Sequence, residues 1–542
     1  MENIYNVITD GRRMSCQKII DSIAKSRGVK EIDEFLDPKR DNLIPLTAFE
    51  YASKGYEIIS DTVGSNGTFL IYYDCDMDGQ ASGTIMYNYL KHFTDNIKRY
   101  VNEGKAHGIS KFDLNNLEGV DTLIIVDSID EHPEYYQRIL DKGVKIIVLD
   151  HHVPDRCILN IKEDICLISS AHNYPNPELS GAGVCLKFCL YVDMVSGNNF
   201  AEELFDLAAA GIIGDVCSVG PDAMENRYIC HKGFNDPYNE PLKNIIGNYE
   251  TNSNSMAFSV APLINSGNRM NKNDICMQLL SSEDTHEIME DIKILKKCKE
   301  EQNEIAAKTF ESIKEQAKDQ MDKKCMTFIV EEEGNENMIG LIASKALGEY
   351  KRPVMVLRKC EKEGQYRGSM RATGIDDFSR VINSTGIGRC AGHENSAGVF
   401  VDIDALEDFI NAIEYELRDV KFEQVFDVDL QLKESQITLE LIKELKNINK
   451  ISGKNFPAVQ VMIDDITGYE IGNMSKGKHL KITTPDGLVL IYWNFTDWDS
   501  LQKGKSLKAV GTLDCSFFGR TMTRQLIMNS FEFEEPIELD DL

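Results

Sequence analysis

Hydrophobic positions in the first half of the chain fall in short unbroken runs. Thr68–Tyr73 (TFLIYY), Thr122–Val126 (TLIIV) and Lys145–Leu149 (KIIVL) are apolar and β-rich throughout, which predicts strands buried on both faces. Between the first two, Gly79–Phe93 carries a helical pattern. Such alternation predicts a parallel sheet covered by helices, with ligands bound beyond the carboxyl ends of its strands. Residues 175–215 read as mostly helical and end in AAAGIIGD. The segment 1–60 reads as a helical N-terminal unit with a proline-marked break near FLDPKRDNLIPL.

The pattern then changes twice. Across 281–320, Ile288, Ile292 and Leu295, then Ile305 and Ile313, recur at helical spacing amid Lys and Glu, predicting a connecting helix. MTFIVEEE, a helix at Ile339–Glu349 and PVMVL outline a second, smaller α/β unit over 321–415, closed by the Gly-rich stretch Gly386–Gly398. From 425 to 535 the stretches AVQVMI, HLKITT, LVLIYWNF, LKAVGTL and RQLIMNSFEF alternate with turn residues. They predict a small barrel, with an OB-fold as the leading candidate. The fold class expected is therefore α/β: a parallel-sheet domain at 61–280, a long helix, a smaller α/β domain and a C-terminal OB-like barrel.

Composition refines this picture. The 542 residues are 42% apolar, enough for several cores. No run of 18 apolar residues occurs, so no membrane span is expected. The N-terminus has no basic start followed by an apolar stretch, so no signal peptide is expected. The 14 Cys show no CxxC pairs at zinc spacing. They read as buried thiols of a reducing compartment, giving a cytoplasmic location. The net charge of −29 argues against a broad basic face for nucleic acid. It leaves room for a local basic groove and suits a carboxylate site that holds cations.

Acidic residues follow each predicted strand. TFLIYY runs into Asp74, Asp76 and Asp78; TLIIV into Asp127; KIIVL into Asp150, His151 and His152; and GIIG leads into Asp215. Gathering carboxylates on one rim is costly without a compensating cation. Asp oxygens with imidazoles suit Mn²⁺ or Mg²⁺ better than structural zinc. Two such ions activate water and stabilise both the attacking and the leaving oxygen at phosphorus, which points to phosphoester hydrolysis.

The set DCDMDG, VDS, LDHH and GIIGD resembles the four motifs of the DHH phosphoesterase family. Within it, the likeness is strongest to the RecJ-type single-strand-specific exonucleases, and it extends over nearly the whole chain. FLDPKRDNLIPLTAF, LSGAGVCLKF, APLINSGNRM, GLIASKALGEYKRPVMVL, YRGSMRA, GRCAGHENSAG and GKHLKI resemble family segments in the same order. The resemblance implies that Asp74, Asp76, Asp127, His151 and Asp215 ligate two Mn²⁺ or Mg²⁺ ions, with Asp127 bridging them. It implies catalytic roles for Asp78, orienting water or ligand, for Asp150, fixing an imidazole tautomer, and for His152, approaching the scissile phosphate. Arg371 and His393 match substrate-contacting positions, and Gly392 lies in a Gly-rich loop whose N–H groups approach phosphate. Ser266, Asn268 and Arg269 match contacts near the 5′ end, His107 stands where the family has a tyrosine, and Lys478 lies among basic and aromatic residues suited to a single strand.

Tyr73 replaces a family glycine, Leu263 replaces an expected arginine, and EGNENMI lacks the usual Trp-His before GLIASK. These departures concern strand-end recognition and spare the metal positions. The activity implied is 5′-to-3′ hydrolysis of single-stranded DNA in repair or recombination, by a monomer working with a single-strand-binding protein or a helicase. Two alternatives remain open at this point: a phosphodiesterase for short oligonucleotides or cyclic dinucleotides, and a catalytically inactive replication scaffold.

Overall fold

The computed structural model describes residues 3–101, 108–330, 336–422, 424–496, 498, 501, 503–518 and 521–536. The first domain is built on β2 (Phe69–Tyr73), β3 (Ile97–Val101), β4 (Thr122–Val126), β5 (Lys145–Asp150) and β6 (Leu167–Ser169), in the order β3-β2-β4-β5-β6. Every pairing is parallel. Phe69, Ile71 and Tyr73 face one core while Leu70 and Tyr72 face another, which is why the strand is apolar at every position. The helices Met77–Lys91, Gly181–Ser196 and Phe205–Gly214 cover the first face. The helix Pro133–Leu140 contributes Tyr136 and Ile139 to the second.

The helix Thr285–Ile313 is capped by Asp284, whose carboxylate accepts the N–H groups of His286 and Glu287, each at 2.9 Å. Its first half buries Ile288, Ile292 and Leu295 in the core of the first domain. Its second half buries Ala306, Phe310 and Ile313 in the core of the next. That domain has β7 (Met326–Val330), β8 (Val354–Cys360), β9 (Gln365–Arg371), β10 (Arg389–His393) and β11 (Ser396–Asp402), ordered β10-β11-β9-β8-β7.

The third sheet joins β1 (Asn3–Asp10), β12 (Gln424–Leu432), β13 (Val461–Ile466), β14 (Glu470–Met474), β15 (His479–Thr483), β16 (Val489–Tyr492), β17 (Gly504–Phe518) and β18 (Thr521–Pro536). Its order, β1-β12-β13-β17-β18-β16-β15-β14, runs open from edge to edge. The expected barrel is thus an OB-like curved sheet with two edges. The helical reading of the first 60 residues also fails at its start. Residues 3–10 alternate in burial as a strand and pair in parallel with β12. The partner lies more than 400 positions away in sequence, so no local signal announces it.

Arg227 fastens the N-terminal segment and the stretch before β13 to the first domain. It is 1% exposed. Its guanidinium donates to the carbonyls of Phe35, Val219 and Ile451 and sits 3.5 Å from the Phe35 ring centroid and 5.0 Å from that of Phe456. Burial pulls its pKa down to about 9.

Candidate metal centre

From β2 the chain passes to β3 on one side and then to β4 on the other, so the carboxyl ends of β2 and β4 flank the point where the winding reverses. Such a point leaves a crevice between the outgoing loops. Tyr73 and Val126 are paired across it, and each is followed by an aspartate, Asp74 and Asp127, at 3% and 2% exposure. Asp127 turns the chain with φ 52°, a conformation that Asp adopts more readily than most residues. Its N–H donates to Leu149 O at 3.0 Å, tying it to the end of β5, where Asp150, His151 and His152 stand. Asp76 caps the helix Met77–Lys91 by accepting the Gly79 N–H at 3.0 Å.

The geometry gathers the sequence's candidate ligands. One oxygen each of Asp74, Asp76 and Asp127 lies within 4.8 Å of the others. His151 Nε2 is 3.1 Å from Asp127 Oδ1, 3.7 Å from Asp215 Oδ2 and 3.8 Å from Asp78 Oδ2. Asp127 Oδ1 is buried with no aligned hydrogen-bond donor among the described residues. Burial, and then the charges of Asp78, Asp76, Asp150 and Asp74, drive the Asp127 pKa well upward. Burial and Asp78 likewise raise Asp215. A buried carboxylate oxygen without a donor is costly, and a hard divalent cation is the group that offsets it. The donor set of carboxylates and imidazole fits Mn²⁺ and Mg²⁺.

Two further carboxylates are held by the protein itself. Asp78 accepts the N–H groups of Gly181 at 2.7 Å and Ala182 at 3.1 Å, the first two residues of the helix Gly181–Ser196. Both its oxygens are thereby engaged, and burial raises its pKa. Asp150 is fully buried and accepts from the N–H groups of Ile129, His151 and His152 at 2.7, 2.7 and 2.8 Å. Its Oδ1 also meets His152 Nδ1 at 2.8 Å. Burial opposes the charge on His152, but the Asp150 carboxylate outweighs it and pushes the imidazole up to about 9.

The residues expected to contact substrate divide. Ser266 is fully buried and its hydroxyl donates to Leu263 O at 2.6 Å and Leu295 O at 3.3 Å, so it braces two helices and faces no solvent. Leu263 is itself a core residue at 3% exposure. Asn268 accepts from Gln80 Nε2 at 3.5 Å and stays 8% exposed. Arg269 ends the helix Ala261–Arg269. Arg371 lies near enough that its pKa is lowered first by burial and then by the Arg269 charge. The Gly-rich stretch is mostly strand and forms the antiparallel pair β10 and β11. Gly392 has φ +133°, and a Cβ there would lie 3.0 Å from Ala397 Cα. His393 pairs with Ser396, and Ser396 pairs with Arg371, so His393 and Arg371 share one face of the sheet. Lys478 is exposed in the turn between β14 and β15. His107 lies outside the described residues. Tyr73, standing where a glycine was expected, packs its ring over Gly83.

Two features escaped the sequence reading. Cys217 Sγ lies 3.6 Å from Asp215 Oδ2 and falls in a potential ligand group with His151 and Asp215; its spacing of two from Asp215 was the available signal. Asp130 and His132, just past β4, repeat the Asp150–His152 contact. His132 donates its N–H to Asp130 Oδ1 at 3.0 Å and sets Nδ1 2.9 Å from it.

Three family models match the chain in order. They are the DHH family N-terminal domain at residues 68–212, the DHHA1 domain at 322–419 and the RecJ OB domain at 428–530. The chain thus carries a DHH-family N-terminal domain followed by DHHA1 and RecJ OB domains. The DHH match begins just before β2 and includes the ends of β2, β4 and β5, where the acidic cluster stands. The chain is 25% identical over 482 residues to the putative SPbeta prophage-derived single-strand DNA-specific exonuclease YorK of Bacillus subtilis, covering 82% of each protein. It is 26% identical over 450 residues to the single-stranded-DNA-specific exonuclease RecJ of Bacillus subtilis, covering 78% of this chain and 56% of that one. The fold matches the crystal structure of RecJ in complex with Mn²⁺ from Thermus thermophilus with a TM-score of 0.80 at 19% identity, covering 99% of this chain and 80% of the other.

Proposed function

We propose that this protein is a metal-dependent exonuclease that hydrolyses phosphodiester bonds of single-stranded DNA from the 5′ end. The observation that carries the reading is the juxtaposition of Asp74 and Asp127 at paired strand ends, with His151 3.1 Å from Asp127. The RecJ OB match and the likeness, over 82% of each chain, to a putative single-strand DNA-specific exonuclease support the single-strand substrate.

Asp74, Asp76 and Asp127 would hold one divalent ion, and Asp127, His151 and Asp215 a second. When bound, the pair would make water nucleophilic at neutral pH and neutralise charge on the phosphoryl oxygens. The protein's own groups do the rest. Asp150 fixes the ring of His152 and keeps it cationic, so its far edge can meet a phosphate oxygen. Asp78 acts as a positioning residue, pinning the start of the helix Gly181–Ser196 against the site. Arg269 and Arg371 form a concentrated positive spot in an otherwise acidic protein, suited to a strand phosphate. A repair or recombination role, and partnership with a single-strand-binding protein or helicase, accord with this activity.

The test is digestion of single-stranded DNA labelled separately at each end, with Mn²⁺ and with chelator. Mononucleotides released first from the 5′ label, only with metal, are expected. Release from the 3′ label first overturns the polarity. Cleavage restricted to dinucleotides favours a short-oligonucleotide phosphodiesterase. No cleavage and no Mn²⁺ binding favours a scaffold.

A further inference from the structure

A pocket adjoins the metal centre. Its volume is about 410 Å³, and His152 forms part of its wall. Ile129, Val153 and Pro154 give it an apolar side, and His132 is its second imidazole. Asp130, Glu131 and Asp155 line it too, so among the described residues the imidazoles are its only cationic groups toward a phosphate. Val153 is 85% exposed, so its side chain is open to a ligand at the pocket.

His132 stands toward Asp130 as His152 stands toward Asp150. In each, a buried aspartate accepts both the main-chain N–H and the Nδ1 side of the histidine two residues on. Asp130 is fixed in turn by the N–H groups of Ile109 at 2.9 Å and Ser110 at 3.0 Å. The imidazole is therefore oriented rather than loose, although its side chain is 59% exposed. Its Nε2 has no hydrogen-bond partner among the described residues. Neutralising a carboxylate already spent on three N–H groups needs no oriented histidine. An anionic group entering the pocket does.

We propose that His132 binds a phosphate of the substrate strand adjacent to the one cleaved, with the neighbouring nucleoside resting on Ile129, Val153 and Pro154. This rests on the exonuclease reading and extends it. His152 would meet the scissile phosphate and His132 the next, so that two matched Asp–His pairs on neighbouring strand ends set the register of the chain. The hydrogen bond to a charged phosphate is the kind whose loss lowers affinity about ten- to a hundred-fold.

The test uses oligonucleotides that each carry one neutral methylphosphonate at a successive position. The wild type and His132→Ala are compared with Mn²⁺ for KM and kcat, and in chelator for binding by fluorescence anisotropy. The variant is expected to raise KM and weaken metal-free binding about ten-fold or more, with a smaller change in kcat. One methylphosphonate position should slow the wild type by a similar factor and add nothing in the variant. His132→Gln, which keeps a donor without the charge, should recover part of the loss. Equal methylphosphonate sensitivity in both proteins at every position, with wild-type digestion intact, overturns the pocket alone. A wild type that degrades no single strand overturns the exonuclease reading and the pocket with it.

Discussion

Asp150 Oδ1 accepts both the main-chain N–H and the Nδ1 side of His152 at 2.8 Å, so one buried carboxylate oxygen fixes the position and the ring orientation of that histidine together. Replacing it by Asp150→Asn keeps the shape but brings an amide N–H₂ among three main-chain donors. The ring of His152 loses its anchor while the metal-facing carboxylates stay in place. A fall of about ten- to a hundred-fold in kcat is expected, with a smaller change in Mn²⁺ affinity. Steady-state digestion and Mn²⁺ titration of the folded variant check this. Unchanged kcat would show that His152 needs no such anchor.

Gly181 supplies an N–H to Asp78 and also lies against Asp127. A Cβ on Gly181 would fall 2.9 Å from Asp127 Cβ and 3.0 Å from its Oδ1. Gly181→Ala should therefore displace the proposed bridging carboxylate without removing any ligand. Weaker Mn²⁺ binding, by about ten-fold or more in a titration, is expected at near-normal secondary structure by circular dichroism. Wild-type Mn²⁺ affinity would mean that the helix start gives way instead.

Arg269 ends a helix packed in the core of the first domain, Arg371 ends a strand of the second, and burial followed by the Arg269 charge lowers the pKa of Arg371. If both grip one strand phosphate, the single alanine variants should each raise KM about ten-fold, and the double variant should cost less than the product of the two. Strictly multiplicative effects would place the two side chains on separate phosphates. The comparison needs only KM values for one single-stranded substrate.

Asp206 offers a pH dependence away from the metal centre. It accepts the N–H groups of Leu207, Tyr238 and Asn239, yet burial raises its pKa to about 6. The folded state then binds more protons than the unfolded state between about pH 4 and 6, so stability falls as pH rises through that window. Near neutrality the cost of the buried charge is about 3 kcal/mol. Asp206→Asn loses one acceptor but carries no charge, so its destabilisation relative to wild type should be largest at pH 5 and smaller at pH 8. Thermal denaturation of both proteins at the two pH values decides it. An equal penalty at the two pH values would mean that the hydrogen bonds hold the carboxylate ionised throughout.

Much of the site was legible because its residues sit at the ends of continuous apolar runs. Asp74, Asp127 and Asp150 follow strands that no surface segment would imitate. What escaped depended on contacts distant in sequence. Strand β1 is defined by β12. The burial of Ser266 is set by Leu295 on the connecting helix. The Gly-rich stretch resembled a loop because its strand pairing to β9 runs through Ser396 and Arg371. His132 was hidden for the opposite reason. Its partner is only two residues away, but a lone exposed histidine after a strand has no meaning until the Asp150–His152 pair is seen beside it.

Arg227 is the remaining point at which the fold can be tested. Its three carbonyl partners, Phe35, Val219 and Ile451, belong to segments far apart in the chain, and no carboxylate among the described residues neutralises it. Arg227→Met keeps much of the packing between Phe35 and Phe456 but leaves three buried carbonyls without a donor. Each such group costs about 1–3 kcal/mol, while removal of a buried charge without a counter-ion returns some of it. A net loss of about 2–4 kcal/mol is therefore expected. Its signature should be unfolding in which the C-terminal sheet separates from the first domain before the parallel sheet melts. Limited proteolysis followed by mass mapping would show early cuts near 450–457 in the variant and not in the wild type. If Arg227→Met is as stable as the wild type, the carbonyls find other donors and the guanidinium is not what joins these segments.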